Sequence, residues 1–266
     1  MAEFTIAQVR DALNAAVPFS MQMDFDNVGL LCGFPDATVT RALVALDITD
    51  TVIEEAVSGG AELIVSHHPL IFHALKRVTA DDDRGRKLIR MLRSGISAIC
   101  LHTNLDAARG GVNDLLMPAV GGRGRGRLAP HGTRPDGTPY GITRLGELPE
   151  PLQLSDFLAH IKRSLGCPGL RYVAGTRPVR HLACCGGAGG GDLEQVFAAG
   201  CDTYVTADLK YDHFLWAKEA GLNLIDAGHF CTENVVVPHL RDLLMTHFPA
   251  LDVRISAVHG PTIRWF

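Results

Sequence analysis

The chain has 266 residues, of which 47% are hydrophobic and 20% are charged, and its formal net charge is -4 at pH 7. This much apolar material excludes an intrinsically disordered chain and is enough for a sizeable core. The acidic balance argues against a protein that binds nucleic acid or another polyanion. The short basic cluster Arg123, Arg125 and Arg127 is therefore interpreted as a solvated loop, in preference to a nucleic-acid contact.

The early part of the sequence predicts a helix. Thr5-Ile6-Ala7-Gln8 has the pattern of a capping box, and Ile6, Val9 and Leu13 fall on one helical face. This segment does not resemble a signal peptide, and no stretch reaches the roughly 18 uninterrupted apolar residues that a membrane span needs. The seven cysteines include no Cys-x-x-Cys pair. We therefore expect a cytoplasmic protein with reduced thiols in its core, without a zinc–thiolate site.

Strands and helices are predicted to alternate along the chain. In the first half, the predicted strands are 41–47, 62–66 and 96–101, and the predicted helices are 51–58 and 84–94. In the second half, the predicted helices are 154–165, 192–199, 212–220 and 233–246, and the predicted strands are 181–185, 202–206, 223–226 and 253–258. This alternation indicates an α/β fold with a mainly parallel sheet. The stretch 121–137 is rich in Gly, Arg and Pro, lacks apolar periodicity and is predicted to be a linker loop.

Histidines and acidic residues follow several predicted strands. His67 and His68 come directly after an apolar run, and two His-acidic pairs with the same gap follow, His102 with Asp106 and His229 with Glu233. In open α/β sheets, ligands gather at the carboxyl ends of the strands. The three segments are therefore expected to converge at one rim of a sheet, near the end of the strand that Asp47 closes.

Imidazole and carboxylate groups in this arrangement are suited to divalent metals. Neutral imidazole binds zinc, iron, manganese, nickel or cobalt, and carboxylates can bridge two ions. Neighbouring side chains of an extended segment point in opposite directions, so His67 and His68 would more easily serve two metals than one. The His229–Glu233 spacing puts both groups on one face of a helix. The alternative for any one pair is a surface histidine or a turn, but three pairs at strand ends favour a dinuclear metal site.

Other polar segments leave alternatives open. The loop Gly186–Gly191 follows a predicted strand and opens a helix, so it either cradles a phosphate or forms a close-packed turn. Asp208, Lys210 and His213 either face the site or cap the next helix, and the second alternative is favoured. No Gly-x-Ser-x-Gly elbow is present, so a nucleophilic serine lacks support.

Four segments together resemble a known family. They are DNVGLLCG (26–33), SHHPLIFHALKRV (66–78), HTNLDAARGGVND (102–114) and DAGHFCTEN (226–234). They resemble the Nif-three-like family, also described as dinuclear metal centre hexameric proteins or type 2 homologs of GTP cyclohydrolase I, and the likeness extends over nearly the whole chain. The resemblance is to the short form, because the loop 121–137 is too short to hold the domain that the long form carries there.

The resemblance implies a fold and an assembly. It implies two interlocked α/β lobes with mixed, mainly parallel sheets and a dinuclear metal site in the cleft between them. The first lobe would comprise residues 1–120 with about 234–266, and the second about 138–233. The family's assembly is a ring-shaped homo-hexamer, a trimer of dimers.

The resemblance also assigns ligands and suggests an activity. It places two divalent metals (Zn, Fe, Mn, Ni or Co) on His67, His68, Asp106, His229 and Glu233, with Glu233 shared by both. His102 lies beside them and acts either as a catalytic acid–base group or as a group that orients the ligands. The implied function is a metal-dependent hydrolase acting on a nucleotide or related compound. The alternative is a non-enzymatic protein for metal storage or delivery, or a ring-shaped scaffold.

Overall fold

The structure is a computed structural model that describes residues 3–134 and 136–266. The chain divides into two compact units. The first contains residues 3–105 and 237–260, and the second contains residues 106–236, apart from 135, and 261–266. The unit boundaries thus differ from the predicted lobes, because 106–120 belongs to the second unit. The predictions for residues 1, 2 and 135 fall outside the described residues.

The elements up to the first boundary follow the predicted alternation. Strands β1 to β6 are Phe4–Thr5, Gly29–Cys32, Thr38–Val39, Arg41–Ala45, Leu63–Ser66 and Ser97–Cys100. Helices α1 to α4 are Ile6–Ala16, Asp50–Gly59, Asp83–Arg93 and Thr103–Ala107, and a short 3₁₀ helix spans Phe19–Met21. Helix α4 carries the chain from the first unit into the second.

The elements beyond α4 are as follows. Helices α5 to α10 are Val112–Ala119, Leu154–Ser164, Leu193–Ala198, Tyr211–Ala220, His229–Glu233 and Val236–His247. Strands β7 to β15 are Arg123–Arg127, Gly132–Thr133, Pro139–Tyr140, Arg144–Leu152, Arg171–Val173, Val179–Cys184, Thr203–Thr206, Asn223–Asp226 and Asp252–Ile255. A 3₁₀ helix spans Gly190–Asp192. The helix predicted at 233–246 is thus two helices, α9 and α10.

The first unit, within the described residues, is built on a sheet with the strand order β15-β4-β5-β6-β2. Strands β15, β4, β5 and β6 pair in parallel, and β2 pairs antiparallel with β6. Every residue of β5 and β6 is buried, which explains why both read as continuous apolar runs rather than alternating ones. The mainly parallel sheet predicted from the sequence is the one observed in this unit.

The second unit contains a sheet with the order β11-β14-β13-β12-β10-β7. Its centre, β14-β13-β12, is parallel, whereas β11, β10 and β7 pair antiparallel with their neighbours. This sheet is therefore mixed and not mainly parallel. The predicted linker and solvated loop contain β7, which pairs with β10. Its Arg-Gly-Arg-Gly-Arg sequence has no apolar pattern because β7 is an exposed edge strand.

Local signals decide where several helices begin. The predicted capping box is present: the Thr5 side chain accepts from the Gln8 N–H, and the Gln8 side chain accepts from the Thr5 N–H. Ile6, Val9 and Leu13 form the buried face of α1.

All seven cysteine side chains are buried. In the described part of the chain, no helix combines the length and hydropathy that crossing a bilayer requires.

A buried arginine organises the start of the second unit. Arg144, on β10, is 4% exposed and pairs through Nε with the carboxylate of Asp114 on α5. Its two remaining nitrogens donate to four backbone carbonyls, those of Ala107, Ala108, Gly141 and Ile142. This network ties the end of α4 to α5 and β10, because a buried guanidinium requires acceptors for all its donors.

The Asp114–Arg144 pair predicts acid-sensitive stability. Burial alone would raise the pKa of Asp114, but hydrogen bonds from Arg144 and from the Gly110 N–H lower the pKa below its usual value. A carboxyl group whose pKa is lower in the folded than in the unfolded state stabilises the fold fully above the unfolded pKa of about 3.9. This stabilisation is lost as the pH falls from there through the folded-state pKa. We expect Asp114→Asn to lower the free energy of unfolding by about 2 kcal/mol at pH 7. This value lies between the losses typical of an exposed and of a buried ion pair.

Urea unfolding at pH 7 and pH 3 measures this effect. The difference between wild type and Asp114→Asn should shrink at pH 3, where the wild-type carboxylate begins to be protonated. Asp242→Asn is the control, because Asp242 is exposed and pairs only with its neighbour Arg241 among the described residues. An equal loss at both pH values would contradict the assignment.

Candidate metal centre

Polar side chains of the first unit lie at the carboxyl ends of three neighbouring parallel strands. Asp47 follows β4, His67 and His68 follow β5, and His102 follows β6. The register aligns Ala45, Ser66 and Cys100, the last residues of these strands. Parallel pairing therefore brings side chains that are distant in sequence to one edge of the sheet.

Each of the two adjacent histidines is held by its Nδ1 atom. Nδ1 of His67, which is fully buried, lies 2.9 Å from the carbonyl oxygen of Leu101. Nδ1 of His68 lies 2.7 Å from Oδ1 of Asp47. Because a carbonyl oxygen and a carboxylate only accept, Nδ1 is the donor in both rings. In a neutral ring the Nε2 atom then carries the lone pair, which is the form that binds a metal.

His102 is held in the same way by a buried carboxylate. Its Nδ1 donates to Oδ1 of Asp26 over 2.7 Å, and Asp26 also accepts from the backbone and the hydroxyl of Thr103. Burial alone would raise the pKa of Asp26, but the hydrogen bonds from His102 and Thr103 prevail and lower this pKa to about 2. Asp26 is therefore an anion at neutral pH and fixes the orientation of the His102 ring.

The three imidazoles of the first unit form one cluster. Ring centroids lie 4.9 Å apart for His67 and His68, 5.3 Å for His67 and His102, and 5.6 Å for His68 and His102. One ring nitrogen from each residue lies within 4.8 Å of those of the other two. The structure thus places the His102 ring beside the two adjacent histidines.

A second set of donors lies in the second unit, again after parallel strands. Asp208 follows β13, and His229 follows β14 and begins helix α9. Nδ1 of His229 lies 2.7 Å from Oδ2 of Asp208. Asp208 has φ of 53°, the left-handed backbone conformation that a residue with a side chain seldom adopts. The strand end is therefore shaped so that its carboxylate meets the imidazole.

Helix α9 joins His229 to Glu233. Their i, i+4 spacing puts Nε2 of His229 3.0 Å from Oε2 of Glu233, as predicted for one helical face. The His229 ring therefore has a carboxylate at each nitrogen. Because Nδ1 donates to Asp208, Nε2 is the atom that faces Glu233 and could bind a metal ion. Glu233 is only 3% exposed, so a cation close to it offsets the cost of burying its charge.

Asp106 is the other buried carboxylate of this unit. It is 6% exposed and lies on α4. The buried Asn113 side chain donates to the Asp106 carbonyl over 3.2 Å and accepts from the Gly186 N–H over 2.7 Å. Burial raises the pKa of Cys185 to about 12, and the negative charges of Asp106, Asp192 and Glu233 add to this shift. The second unit therefore concentrates carboxylates around the strand end that Cys185 follows.

The glycine loop is a close-packed turn. The N–H groups of Gly186, Gly187 and Gly189 donate to the side chains of Asn113, Thr232 and Thr206. A Cβ atom on Gly187 would lie 2.3 Å from Oε1 of Glu233. These N–H groups are thus occupied within the protein and do not form a phosphate cradle. The loop instead lets the backbone approach the carboxylate of Glu233.

The predicted site residues come from both units. His67, His68 and His102 belong to the first unit, and Asp106, His229 and Glu233 belong to the second. The expectation of one sheet rim was wrong, since His229 follows a strand of a different sheet. Of the other candidates, Asp208 contacts His229, whereas Nδ1 of His213 accepts from the Lys210 N–H in a helix cap.

Sequence reasoning missed the carboxylates that orient the histidines. Asp26 lies in one of the quoted motifs, and Asp47 and Asp208 follow strands, but none was assigned to a histidine. For Asp47 and Asp208 the available signal is an acidic residue one or two positions beyond a strand end. Metal-binding histidines usually donate their other N–H to a carboxylate or a carbonyl, and all four histidines here do so. Borderline first-row divalent metals fit this nitrogen and oxygen donor set.

Comparisons with known proteins agree with the fold. The Duf34/NIF3 (NGG1p interacting factor 3) family model matches residues 4–261. A Clostridium perfringens protein named GTP cyclohydrolase 1 type 2 homolog is 36% identical over 217 residues, which cover 81% of this chain and 82% of that protein. A Bacillus cereus protein related to NIF3 superposes with a TM-score of 0.93 at 25% identity, covering both chains fully. A hypothetical protein of Staphylococcus aureus superposes with a TM-score of 0.92 at 30% identity, also over both full chains.

Proposed function

Since this chain belongs to the Duf34/NIF3 family, we propose that it binds two divalent metal ions and uses them to hydrolyse a nucleotide or a related compound. The observation that supports metal binding is the shared state of the three histidines proposed as ligands, His67, His68 and His229. Each donates through Nδ1 to a carboxylate or a carbonyl over 2.7–2.9 Å, which leaves Nε2 to bind a metal.

The proposed ligands are those that the sequence motifs assign. They are His67, His68, Asp106, His229 and Glu233, with Glu233 shared between the two ions. Asp47 and Asp208 hold the His68 and His229 rings in orientation through their Nδ1 atoms. The two carboxylates would compensate only part of the charge of two divalent ions, because the imidazole ligands are neutral, and the centre would then attract an anionic substrate.

His102 is proposed to act on protons. Its Nδ1 is fixed by Asp26, whose carboxylate is anionic, so its Nε2 can accept a proton from water or return one to a leaving group. The neighbouring anion stabilises the imidazolium that this step forms. When bound, two close divalent ions would supply Lewis acidity that makes water a better nucleophile and stabilises a developing oxyanion.

The substrate class rests on two arguments. The Clostridium perfringens relative carries the name GTP cyclohydrolase 1 type 2 homolog, which makes nucleotides the first compounds to test. Carboxylate and imidazole ligands suit hydrolysis of either a phosphoester or a C–N bond, because both reactions develop negative charge on oxygen. We propose the hydrolase class, with GTP as one member of the test panel. The assembly is proposed to be a homo-hexamer, a trimer of dimers.

Metal content and turnover together test this proposal. We expect purified protein to contain about two equivalents of zinc, iron, manganese, nickel or cobalt per chain by elemental analysis. Light scattering on the same sample gives the assembly size. The metal-loaded protein is then assayed against a panel of nucleotides and phosphoesters, and Asp106→Asn should abolish the turnover found. Asp156→Asn is the control, because Asp156 lies in α6, outside the donor sets.

The outcomes separate hydrolysis from metal handling. Turnover that depends on Asp106 supports the hydrolase. Two equivalents of metal that pass to an acceptor protein, with no turnover across the panel, would favour the non-enzymatic alternative of storage or delivery. A protein that takes up no divalent metal would contradict both.

A further inference from the structure

A pocket in the second unit lies apart from the donor residues. It has a volume of about 870 Å³, within the range of small-molecule sites. None of the proposed metal ligands lines it. Strand β7, helix α5 and the hairpin strand β9 contribute its walls, with Asp114, Met117, Arg123, Arg127, Tyr140 and Arg144 among the lining residues.

The strand β7 is built to leave this pocket open. Its sequence alternates arginine with glycine, and a Cβ atom on Gly124 or Gly126 would meet no atom within 4 Å. At Gly124 a side chain could have filled this space, whereas at Gly126 the φ of +153° itself favours glycine. Apolar surface from Met117, Leu128 and Tyr140 surrounds this space. Arg125, also on β7, does not line the pocket and instead pairs with Glu147 over 3.0 Å.

The positive charge of the pocket exceeds its negative charge. Asp114 is the one acidic residue among the lining residues, and it pairs with the buried Arg144. Arg127 donates to the Pro139 carbonyl over 3.1 Å, while its buried Nε has no hydrogen-bond partner among the described residues. Burial lowers the pKa of Arg127, and repulsion from Arg144 and Arg134 lowers it further. Since arginine stays protonated, the folded protein holds these like charges together.

We propose that this pocket binds a small organic or inorganic anion that carries phosphate or carboxylate groups, with Arg127 as the principal contact. A guanidinium presents its donors in a planar fork that matches both kinds of group. Arg123 adds a second charge from the exposed side of the pocket. The concave shape and apolar walls suit a small molecule rather than a nucleic-acid strand, which agrees with the net charge of -4.

Isothermal titration calorimetry at constant ionic strength tests the proposal, with inorganic phosphate and succinate as the probes and sodium chloride as the reference. Wild-type protein is expected to bind at least one probe at one site in this pocket. Arg127→Gln should weaken that binding at least tenfold. Arg125→Gln is the matched control, because it removes a neighbouring charge outside the pocket, and its affinity should stay within twofold of wild type.

Two further measurements keep the outcomes separate. Glu233→Gln should retain the pocket's affinity, because this proposal does not depend on the proposed metal centre; loss of binding there would assign the anion to the metals. If Arg127→Gln fails to fold, Arg123→Gln takes its place with the same expectation. No binding of either probe to wild type, or an equal loss in Arg125→Gln, would overturn the proposal.

Discussion

Glu233→Gln is expected to reduce the metal content from two ions per chain to one or fewer. Glu233 is buried, lies beside Nε2 of His229 and is the proposed shared ligand. Glutamine has nearly the same volume but no charge, so it neither bridges two cations nor compensates them. We expect metal affinity to fall about 100-fold or more, since even residues that only orient a ligand change it by 10- to 100-fold. Elemental analysis after dialysis measures this loss directly.

The same variant has a second expectation. In metal-free protein, Glu233→Gln should unfold close to the wild-type temperature, because removal of a buried charge offsets the loss of its contact with His229. Glu219→Gln, on the exposed side of α8, is the control and should keep both ions. A Glu233→Gln protein that still holds two ions with wild-type affinity would contradict the proposed role of this carboxylate.

Gly187→Ala is expected to disturb both stability and metal binding. Gly187 has φ of +64°, where alanine costs about 1–2 kcal/mol. Its Cβ would lie 2.3 Å from Oε1 of Glu233 and 3.1 Å from two ring atoms of His229. The side chain of Glu233 would have to move, so the expected loss of unfolding free energy is about 2–4 kcal/mol. Metal affinity should fall at least tenfold, as measured by competition with a chelator.

Gly191→Ala is the matched control from the same loop. A Cβ atom at Gly191 meets no atom within 4 Å, and its φ is not positive. This variant should therefore stay within about 0.5 kcal/mol of wild type and keep its metal affinity. Equal loss of metal in both variants would contradict this explanation. It would mean that a general change in the loop, and not the close approach of Gly187 to Glu233, lowers the metal affinity.

The central elements of both sheets were predictable because they are buried on both faces. Strands β4, β5 and β6 appear in the sequence as mainly apolar runs, and β13 and β14 as apolar pairs between polar residues; the structure confirms each predicted strand within two residues. Two strands of the second sheet were harder to predict. The edge strand β7 has no apolar side chain, and its neighbour β10 has two prolines and an exposed second half. Edge strands are stabilised by pairing with a neighbour, which leaves little periodic signal in the sequence.

The candidate donors were predictable, but the groups that orient them were not. Residue type and position after a predicted strand are enough to identify His67, His68, His229 and Glu233 as candidates. Asp26 and His102 are 76 residues apart, and their contact depends on the approach of the segment before β2 to the end of β6. No local pattern could identify that pairing. The glycine loop shows the same limit, because its N–H partners come from Asn113, Thr206 and Thr232.

By itself, the sequence determined the alternation of strands and helices, the capping of α1 and the kinds of donor atom available, because these depend on local periodicity and residue chemistry. Tertiary structure decided which strands are neighbours, and hence that the donors follow two different sheets. It also decided that His67, His68, His102 and His229 each have an acceptor at Nδ1, and that Arg127 lies among like charges. These features depend on contacts between residues far apart in the chain, which are set by packing and strand pairing.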